Sequence, residues 1–348
     1  MISVVICTYN RAASLARTLE SLNRMTVPSE VAWEIVVVDN NSNDRTYQVV
    51  EEFRRSSGLV VRYVFEAQQG ISHARNTGIA NARGEIIAFT DDDVLVTPEW
   101  LRELAYTFAK FDCAAVGGRI TPVWDGIAKP KWFATNGPYF LGIGPVPSFE
   151  HGDEAKEISD APLGANAAFK KSAFERCGFF ETDIGAGASN SGVQLGDDIE
   201  FGYRLIRRGQ KIIYSPRAAV LHPAEQDRIT KSYFLRFYYN LGRMFFRRDG
   251  WPRGTRLWFG VSPRAFYMFV RKCGRWFLTF NSEKRFYYKV QAYMLAGRIL
   301  ETRVHKSGIK PWRRPAAKAT STKTQARVSG PMIGASRPAF ERREEAGD

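Results

Sequence analysis

The sequence has no long hydrophobic run. No stretch of about 18 uninterrupted apolar residues occurs, which argues against a simple transmembrane helix. The first apolar run, Val4 to Ile6, is too short for a signal peptide and is followed at once by polar Thr8, Asn10 and Arg11. We therefore expect a protein that is made and kept in the cytoplasm.

Cysteine and histidine are also scarce, with only four of each in 348 residues. The cysteines lie far apart in the sequence, and none has a CxxC or Cys/His spacing typical of metal ligands. This pattern argues against a zinc site and indicates thiols in a reducing compartment. The four positions are Cys7, Cys113, Cys177 and Cys273.

The charge is distributed unevenly along the chain. The formal net charge is +14, with 44% hydrophobic and 25% charged residues, as in a globular protein. Residues 1–227 contain 23 Lys/Arg and 29 Asp/Glu, whereas residues 228–304 contain 17 and 3, and residues 305–348 contain 10 and 4. We therefore expect three segments with different roles, the last of them a disordered tail rich in Pro, Ala, Ser, Thr and Lys.

Short apolar runs alternate with helical patterns in the first hundred residues. This alternation predicts an α/β fold with a mostly parallel sheet and helices on both faces, in which ligands gather at the carboxyl ends of the strands. A further helix is expected near Pro98, with Thr97 as its N-cap. The predicted strands are residues 3–7, 34–39, 60–65 and 85–90, and the predicted helices are residues 11–23, 44–55 and 70–83.

Three adjacent carboxylates, Asp91 to Asp93, follow the fourth predicted strand. Such carboxylates repel one another, and a divalent cation bound to a diphosphate would offset the repulsion, because hard cations prefer oxygen ligands. A solvated turn or a helix N-terminus would also accept acidic residues. The triplet alone leaves both interpretations open.

Four motifs occur in order before residue 94: VVICTYNR from Val4, VVVDNNSND from Val36, GISHARNTG from Gly70 and GEIIAFTDDD from Gly84. Together with a fifth motif near residue 197, they resemble the family-2 glycosyltransferases over about residues 1–240. The resemblance implies a GT-A fold, which is a Rossmann-like α/β domain, over residues 1–227. It also implies an activated sugar donor.

The resemblance implies a role for each motif residue in the donor half of the site. Taken alone, Asp39 could simply cap the next helix, and Arg75 could be an ordinary surface cation. By resemblance, Thr8 and Tyr9 line the base pocket, and Asp39 accepts a hydrogen bond from the uracil or thymine ring N–H. Arg75 approaches the nucleotide, and Asp91 holds the ribose. Asp92 occupies the variable position on the nucleotide-sugar side, and Asp93 binds Mn²⁺ or Mg²⁺.

The second half resembles the acceptor side of the same family. LGANAAF, from Leu163, places Asn166 near the transferred sugar, and GDDIEFGYR, from Gly196, makes Asp198 the general base. Asp197 stands where the family usually has Glu, and His222 matches a metal-site histidine. On residues alone, the acid pair could be an ordinary helix N-terminus and the histidine could be structural.

These roles imply an inverting, metal-dependent transfer of one sugar from a UDP- or dTDP-sugar to a glycan or lipid-linked acceptor in cell-surface polysaccharide biosynthesis. Processive synthases of the family carry Gln-x-x-Arg-Trp, whereas Lys272 precedes Arg275-Trp276 here. A sugar-nucleotide nucleotidyltransferase would need a Gly-rich basic loop after the first strand. A non-catalytic nucleotide- or membrane-binding scaffold would be expected to lose the base or the metal ligands.

Residues 228–304 hold twenty aromatic side chains among 17 Lys/Arg, and they predict two or three basic amphipathic helices on the membrane or acceptor side. One interpretation is an element that binds an anionic membrane surface at the inner face of the cell membrane. The other is a set of ordinary helices that pack their aromatics on the catalytic domain. Nucleic acid is not an expected partner.

Overall fold

The computed structural model describes residues 1–134, 137–141, 146–188, 193–251 and 254–305. The predicted tail lies outside this range beyond His305. The strands are β1 (Ile2–Thr8), β2 (Trp33–Asp39), β3 (Val61–Phe65), β4 (Ile86–Asp91), β5 (Leu95–Val96), β6 (Ala115–Val123), β7 (Lys156–Ile158), β8 (Asn166–Lys170) and β9 (Ile212–Pro223). The helices are α1 (Ala12–Asn23), α2 (Thr46–Ser56), α3 (Ile71–Asn81), α4 (Trp100–Lys110), α5 (Lys171–Cys177), α6 (Asp197–Arg207), α7 (Lys231–Asp249), α8 (Pro263–Leu278) and α9 (Ser282–His305).

The strands form one sheet in the order β3-β2-β1-β4-β8-β6-β9-β5, with β7 paired to β9. Strands β1 to β4 are parallel, as predicted. The chain moves outward from β1 to β3 and then returns to β4. Right-handed crossovers therefore place α1 and α2 on one face of the sheet and α3 on the other. This half of the fold confirms the predicted α/β architecture.

The sheet as a whole is mixed rather than mostly parallel. Strand β8 runs antiparallel to both of its neighbours, β4 and β6, whereas β6 and β9 are parallel. The reason is that β8 enters the sheet after a long excursion and not through a β-α-β crossover. Its register aligns Asn166 with Thr90, which brings the second-half motifs beside the acidic triplet.

Several boundaries differ from the sequence prediction. Helix α4 begins at Trp100, and the Thr97 hydroxyl donates to the Ala219 carbonyl at 3.0 Å instead of capping the helix. Strand β6 was not predicted, because two glycines interrupt its apolar pattern. Gly118 is required there, since a Cβ would lie 2.1 Å from the Ala218 carbonyl oxygen.

A second hydrophobic core joins the C-terminal helices to the middle of the chain. Phe234 and Met244 of α7 and Val290 of α9 are buried in it together with Phe133. Helices α7 and α9 are also held together by Glu301, whose fully buried carboxylate pairs with the guanidinium groups of two arginines of α7. The middle segment and the C-terminal helices therefore pack as one body.

The crossing of α7 and α9 depends on two glycines. A Cβ at Gly242 would lie 1.9 Å from the Met294 carbonyl oxygen, and a Cβ at Gly297 would lie 2.0 Å from the Tyr239 carbonyl oxygen. We expect Gly242→Ala to lower the free energy of unfolding by about 1–3 kcal/mol, because backbone atoms have to move apart. Chemical denaturation measures this change.

A matched control exists on α8, where a Cβ at Gly274 meets nothing within 4 Å. Gly274→Ala should raise the free energy of unfolding by about 0.5–1 kcal/mol through helix propensity alone. A Gly242→Ala variant as stable as the Gly274→Ala control would contradict the close crossing.

Candidate active site

Polar side chains from three parallel strands meet at one edge of the sheet. Strand β1 ends at Thr8, β2 at Asp39 and β4 at Asp91, and their register places Thr8 beside Asp39 and Cys7 beside Asp91. Parallel strands end together, so these groups share the crevice where such sheets bind ligands. The structure therefore brings the donor-side motifs together.

Asp91, Asp93 and His222 form a candidate metal group. Each offers one ligand atom, and the three atoms lie within 4.8 Å of one another. The His222 Nδ1–H donates to the Pro223 carbonyl at 3.2 Å, since a carbonyl can only accept. This leaves Nε2, which lies 3.5 Å from Asp93 Oδ1, as the ligating nitrogen. Two carboxylates and one imidazole suit Mn²⁺ or Mg²⁺.

The metal group includes Asp91, to which the resemblance gave the ribose. The side chain of Asp91 is 39% exposed, whereas those of Asp93 and His222 are 7% and 2% exposed. Asp91 therefore lies at the open side of the group. Its ribose contact stays a prediction.

Three residues of this site were not predicted from the sequence. Asp93 Oδ2 lies 3.0 Å from an Arg11 nitrogen and 3.2 Å from an Arg228 nitrogen. Glu225 pairs with both arginines, at 2.7 Å from Arg228 Nε. One oxygen of Asp93 is thus held by guanidinium groups while the other faces His222. Arg11 is the last residue of the VVICTYNR motif. Residues 225 and 228 come close to it only in the folded chain.

Asp92 lies beside the metal group and has different partners. The Thr8 hydroxyl donates to Asp92 Oδ2 at 2.7 Å, and Arg11 Nε lies 3.3 Å from Asp92 Oδ1. Burial raises the pKa of Asp92 to about 7, against the opposing effect of Arg11. Thr8 is itself buried, so its hydroxyl positions Asp92.

Asp39 is a buried carboxylate that already accepts two hydrogen bonds. The Ser42 backbone N–H donates to Oδ1 and the Tyr63 hydroxyl donates to Oδ2, both at 2.8 Å. Burial and this hydrogen bond raise the pKa of Tyr63. Tyr9, by contrast, is 48% exposed at the same edge. The proximity of Thr8, Tyr9 and Asp39 agrees with a shared base pocket, while the contact with the base itself stays a prediction.

Arg75 is an internal cation rather than a surface one. Its guanidinium donates to Asp197, lies 3.8 Å from Asp91, and is 5.9 Å and 5.5 Å from the ring centroids of Phe89 and Phe180. Burial alone would lower the pKa of Arg75, but the surrounding carboxylates outweigh burial and raise it. Arg75 therefore links the metal group to the start of α6, and its approach to a nucleotide stays a prediction.

The two acids at the N-terminus of α6 differ in exposure. Asp197 is 4% exposed, and burial raises its pKa to about 6. Asp198 is half-buried, and its Oδ2 accepts the Gly164 backbone N–H at 2.7 Å. Its Oδ1 accepts the Ile199 backbone N–H at 2.8 Å. Asp197 is thus committed to Arg75, whereas Asp198 is fixed by two backbone donors and remains partly accessible.

Asn166 lies behind the surface of the site, and its position near the transferred sugar stays a prediction. Its side chain is fully buried. The Trp100 indole N–H donates to its oxygen at 2.8 Å, and its amide nitrogen donates to the carbonyls of Arg119 and Ala218. Because these contacts occupy the amide, Asn166 ties β8 to β6 and β9.

Comparison with known proteins identifies the family of the chain. The model of the family described as glycosyl transferase family 2 matches residues 3–178, which is half of the chain. The chain belongs to glycosyl transferase family 2. It is a glycosyltransferase enzyme, so the family assignment does not support the nucleotidyltransferase and scaffold alternatives.

Two relatives extend the likeness beyond the family match. The chain is 29% identical over 226 residues to the glucosyl-dolichyl phosphate glucuronosyltransferase of Haloferax volcanii, covering 64% of this chain and 68% of the relative. It is 29% identical over 243 residues to the succinoglycan biosynthesis protein ExoM of Rhizobium meliloti, covering 70% of this chain and 73% of ExoM.

A solved structure confirms the fold. The mannosyltransferase PcManGT of Pyrobaculum calidifontis, in complex with GDP-Man and Mn²⁺, matches with a TM-score of 0.53 over 89% of this chain and 76% of that chain. At 21% identity this likeness shows the fold alone, and it confirms the predicted GT-A fold. Among the helices of the described residues, none is long and apolar enough to cross a membrane.

Proposed function

We propose that this glycosyltransferase is an inverting, metal-dependent enzyme that moves one sugar from a UDP- or dTDP-sugar to a glycan or lipid-linked acceptor. The observation that carries the proposal is the bridge made by Arg75. Its guanidinium contacts Asp91 of the metal group on one side and Asp197 on the other. Asp198, the proposed base, is next to Asp197, so both halves of the chemistry share one crevice.

In this proposal Asp198 removes the proton from the acceptor hydroxyl. That oxygen attacks the anomeric carbon from the side opposite the diphosphate, so the sugar configuration inverts. The backbone N–H groups of Gly164 and Ile199 each donate to one Asp198 oxygen and hold the carboxylate in place. When bound, the divalent cation offsets the charge that grows on the leaving diphosphate.

The residues around the cation have separate roles in the proposal. Asp93 and His222 hold the cation, with Asp91 either joining them or binding the ribose. Arg11 and Arg228 balance the carboxylates from the opposite side, because both lie within 3.2 Å of Asp93 Oδ2. Thr8, Tyr9 and Asp39 then form the base pocket, where the Asp39 carboxylate accepts a hydrogen bond from the ring N–H of uracil or thymine.

The names of the relatives support the acceptor class. ExoM is named for succinoglycan biosynthesis, and the Haloferax relative is named for a dolichyl phosphate carrier. We therefore propose a role in cell-surface polysaccharide biosynthesis at the cytoplasmic face of the membrane. Residues 1–227 would form the catalytic domain, and residues 228–304 would serve the acceptor or an anionic membrane surface.

A donor panel tests the proposal. Release of nucleoside diphosphate is measured with UDP-, dTDP- and GDP-sugars in Mn²⁺, Mg²⁺ or EDTA. The expected result is metal-dependent release with a uridine or thymidine donor and none in EDTA. Product NMR should show an inverted anomeric configuration. Release from GDP-sugars alone would refute the donor assignment, and a retained configuration would refute Asp198 as the base.

A further inference from the structure

Helix α8 carries an apolar stripe that faces solvent. The side chains of Phe266, Tyr267, Val270, Phe277 and Leu278 are 51–79% exposed. At 3.6 residues per turn these positions fall within about 120° of the helix circumference. An amphipathic helix normally turns such a stripe toward the protein core. Here the stripe is turned outward.

The opposite side of α8 contacts the protein. Ala265 and Lys272 are its buried residues, and the Lys272 ammonium lies 5.8 Å from the Tyr288 ring of α9. Packing on α9 therefore uses a small residue, a cation and the half-buried Trp276, whose ring centroid lies 4.9 Å from the Lys289 ammonium, while the five side chains of the stripe point away. This orientation is the reverse of what a purely structural helix requires.

Two further exposed aromatic rings lie just beyond the two ends of α8. Trp258 and Val261 exchange backbone hydrogen bonds of 2.9 Å across a two-residue turn, which places Phe259 at its tip with φ of 49°. A bulky residue rarely adopts this left-handed conformation. Phe259 is 98% exposed, and Phe280, just beyond the helix, is 99% exposed. We call the stripe and these two rings the α8 surface.

Cations flank the α8 surface. Arg264 and Arg275 are exposed on the helix beside the stripe, and exposed Arg256 precedes the turn. Residues 228–304 as a whole hold 17 Lys/Arg against 3 Asp/Glu. Apolar rings bordered by arginines complement the acyl boundary and the anionic headgroups of a lipid bilayer.

We propose that the α8 surface inserts into the interface of an anionic bilayer and holds the enzyme there. This surface would bind the anionic membrane that the proposed function includes. The inference rests on the proposed function only for the reason why the enzyme binds a membrane, which is access to a lipid-linked acceptor. A lipid-linked acceptor would then meet the enzyme at the surface where α8 binds. Nucleic acid is disfavoured as a partner, because stacked bases provide no apolar environment that could bury the aliphatic side chains of Val270 and Leu278.

Gly274 provides a sharp test, because it lies within the stripe, is exposed and leaves open space for a side chain. Gly274→Leu extends the apolar stripe, whereas Gly274→Glu puts a negative charge into it. Both replacements improve on glycine as helix formers, so a binding loss cannot come from an unfolded helix. Tyr106→Ser, at a 56% exposed site on α4, is the control.

Flotation of the full chain with vesicles measures the partition coefficient. The wild-type protein should bind vesicles of phosphatidylcholine and phosphatidylglycerol, and this binding should be lost in high salt. It should not bind vesicles of pure phosphatidylcholine. Relative to wild type, we expect Gly274→Glu to bind about tenfold more weakly and Gly274→Leu severalfold more tightly. The Tyr106→Ser control should match wild type.

Other outcomes would overturn the inference. Equal binding by both Gly274 variants would show that α8 does not touch the bilayer. If Gly274→Leu instead drives self-association in sedimentation velocity without tighter vesicle binding, the surface is an interface between copies of the chain. Metal-dependent donor hydrolysis without vesicles should be unchanged in both variants, which separates this test from that of the proposed function.

Discussion

Replacing Asp198 with Asn is expected to reduce the turnover number by about 10³-fold, within the range attributed to general-base catalysis. The Asn oxygen can still accept one of the two backbone N–H groups, those of Gly164 and Ile199, that meet the Asp198 oxygens at 2.7 and 2.8 Å. The amide is nearly isosteric with the carboxylate but cannot take the acceptor proton. Affinities for Mn²⁺ and nucleoside diphosphate should stay near wild type. Steady-state kinetics and calorimetric titration measure the two effects.

Asp197→Asn is the matched control, because it changes the neighbouring acid in the same way. It leaves the buried Arg75 guanidinium without its closest carboxylate, so we expect a loss of folding stability of about 3–5 kcal/mol. Asp198, half-buried at the helix start, should show no such loss. Undiminished turnover in Asp198→Asn would contradict its assignment as the base.

Replacing Asp93 with Asn should lower the affinity for Mn²⁺ by at least about 100-fold. Substitution of a residue that only hydrogen-bonds to a metal ligand typically lowers the affinity by less. Asp93 contributes one oxygen to the candidate metal group and the other to Arg11 and Arg228. The neutral amide supplies a poorer ligand and leaves the two guanidinium groups with Glu225 as their only shared carboxylate among the described contacts. Electron paramagnetic resonance of free Mn²⁺ during a titration measures the affinity.

Asp92→Asn separates this effect from a general loss of negative charge. Asp92 lies outside the metal group and bonds to Thr8 and Arg11. We expect its Mn²⁺ affinity to remain within a few-fold of wild type. The assignment of the metal ligands would be wrong if Asp92→Asn lost Mn²⁺ while Asp93→Asn retained it.

The position of the donor-side residues at one sheet edge could be predicted from the sequence, because these residues follow strands. A buried run such as Val36 to Val38 predicts a parallel strand, and the residue that follows it must lie at the ligand edge. Asp39 and Asp91 could be placed there from pattern alone. The motifs then assigned chemistry that the strand pattern could not supply.

The remainder of the site depends on contacts between distant segments, which no local pattern specifies. Glu225 and Arg228 meet Arg11 only after β9 returns beside β6. The burial of Asn166 follows from the antiparallel insertion of β8, which the strand prediction did not include. Arg75 resembled a surface cation until α6 placed Asp197 against it.

The acidic triplet is likewise divided in a way that its sequence does not reveal. Asp91 and Asp93 lie within ligand distance of His222, while Asp92, in the turn that follows β4, accepts from the Thr8 hydroxyl. The metal group therefore takes the first and third acids of the triplet.

The most direct test of the metal–diphosphate site is ³¹P hyperfine spectroscopy of bound Mn²⁺ with UDP, dTDP or GDP. A ³¹P coupling should appear with UDP or dTDP in wild type and in Asp198→Asn, and should vanish in Asp93→Asn. Bound Mn²⁺ without any ³¹P coupling, or a coupling that survives Asp93→Asn unchanged, would contradict the site built on Asp91, Asp93 and His222.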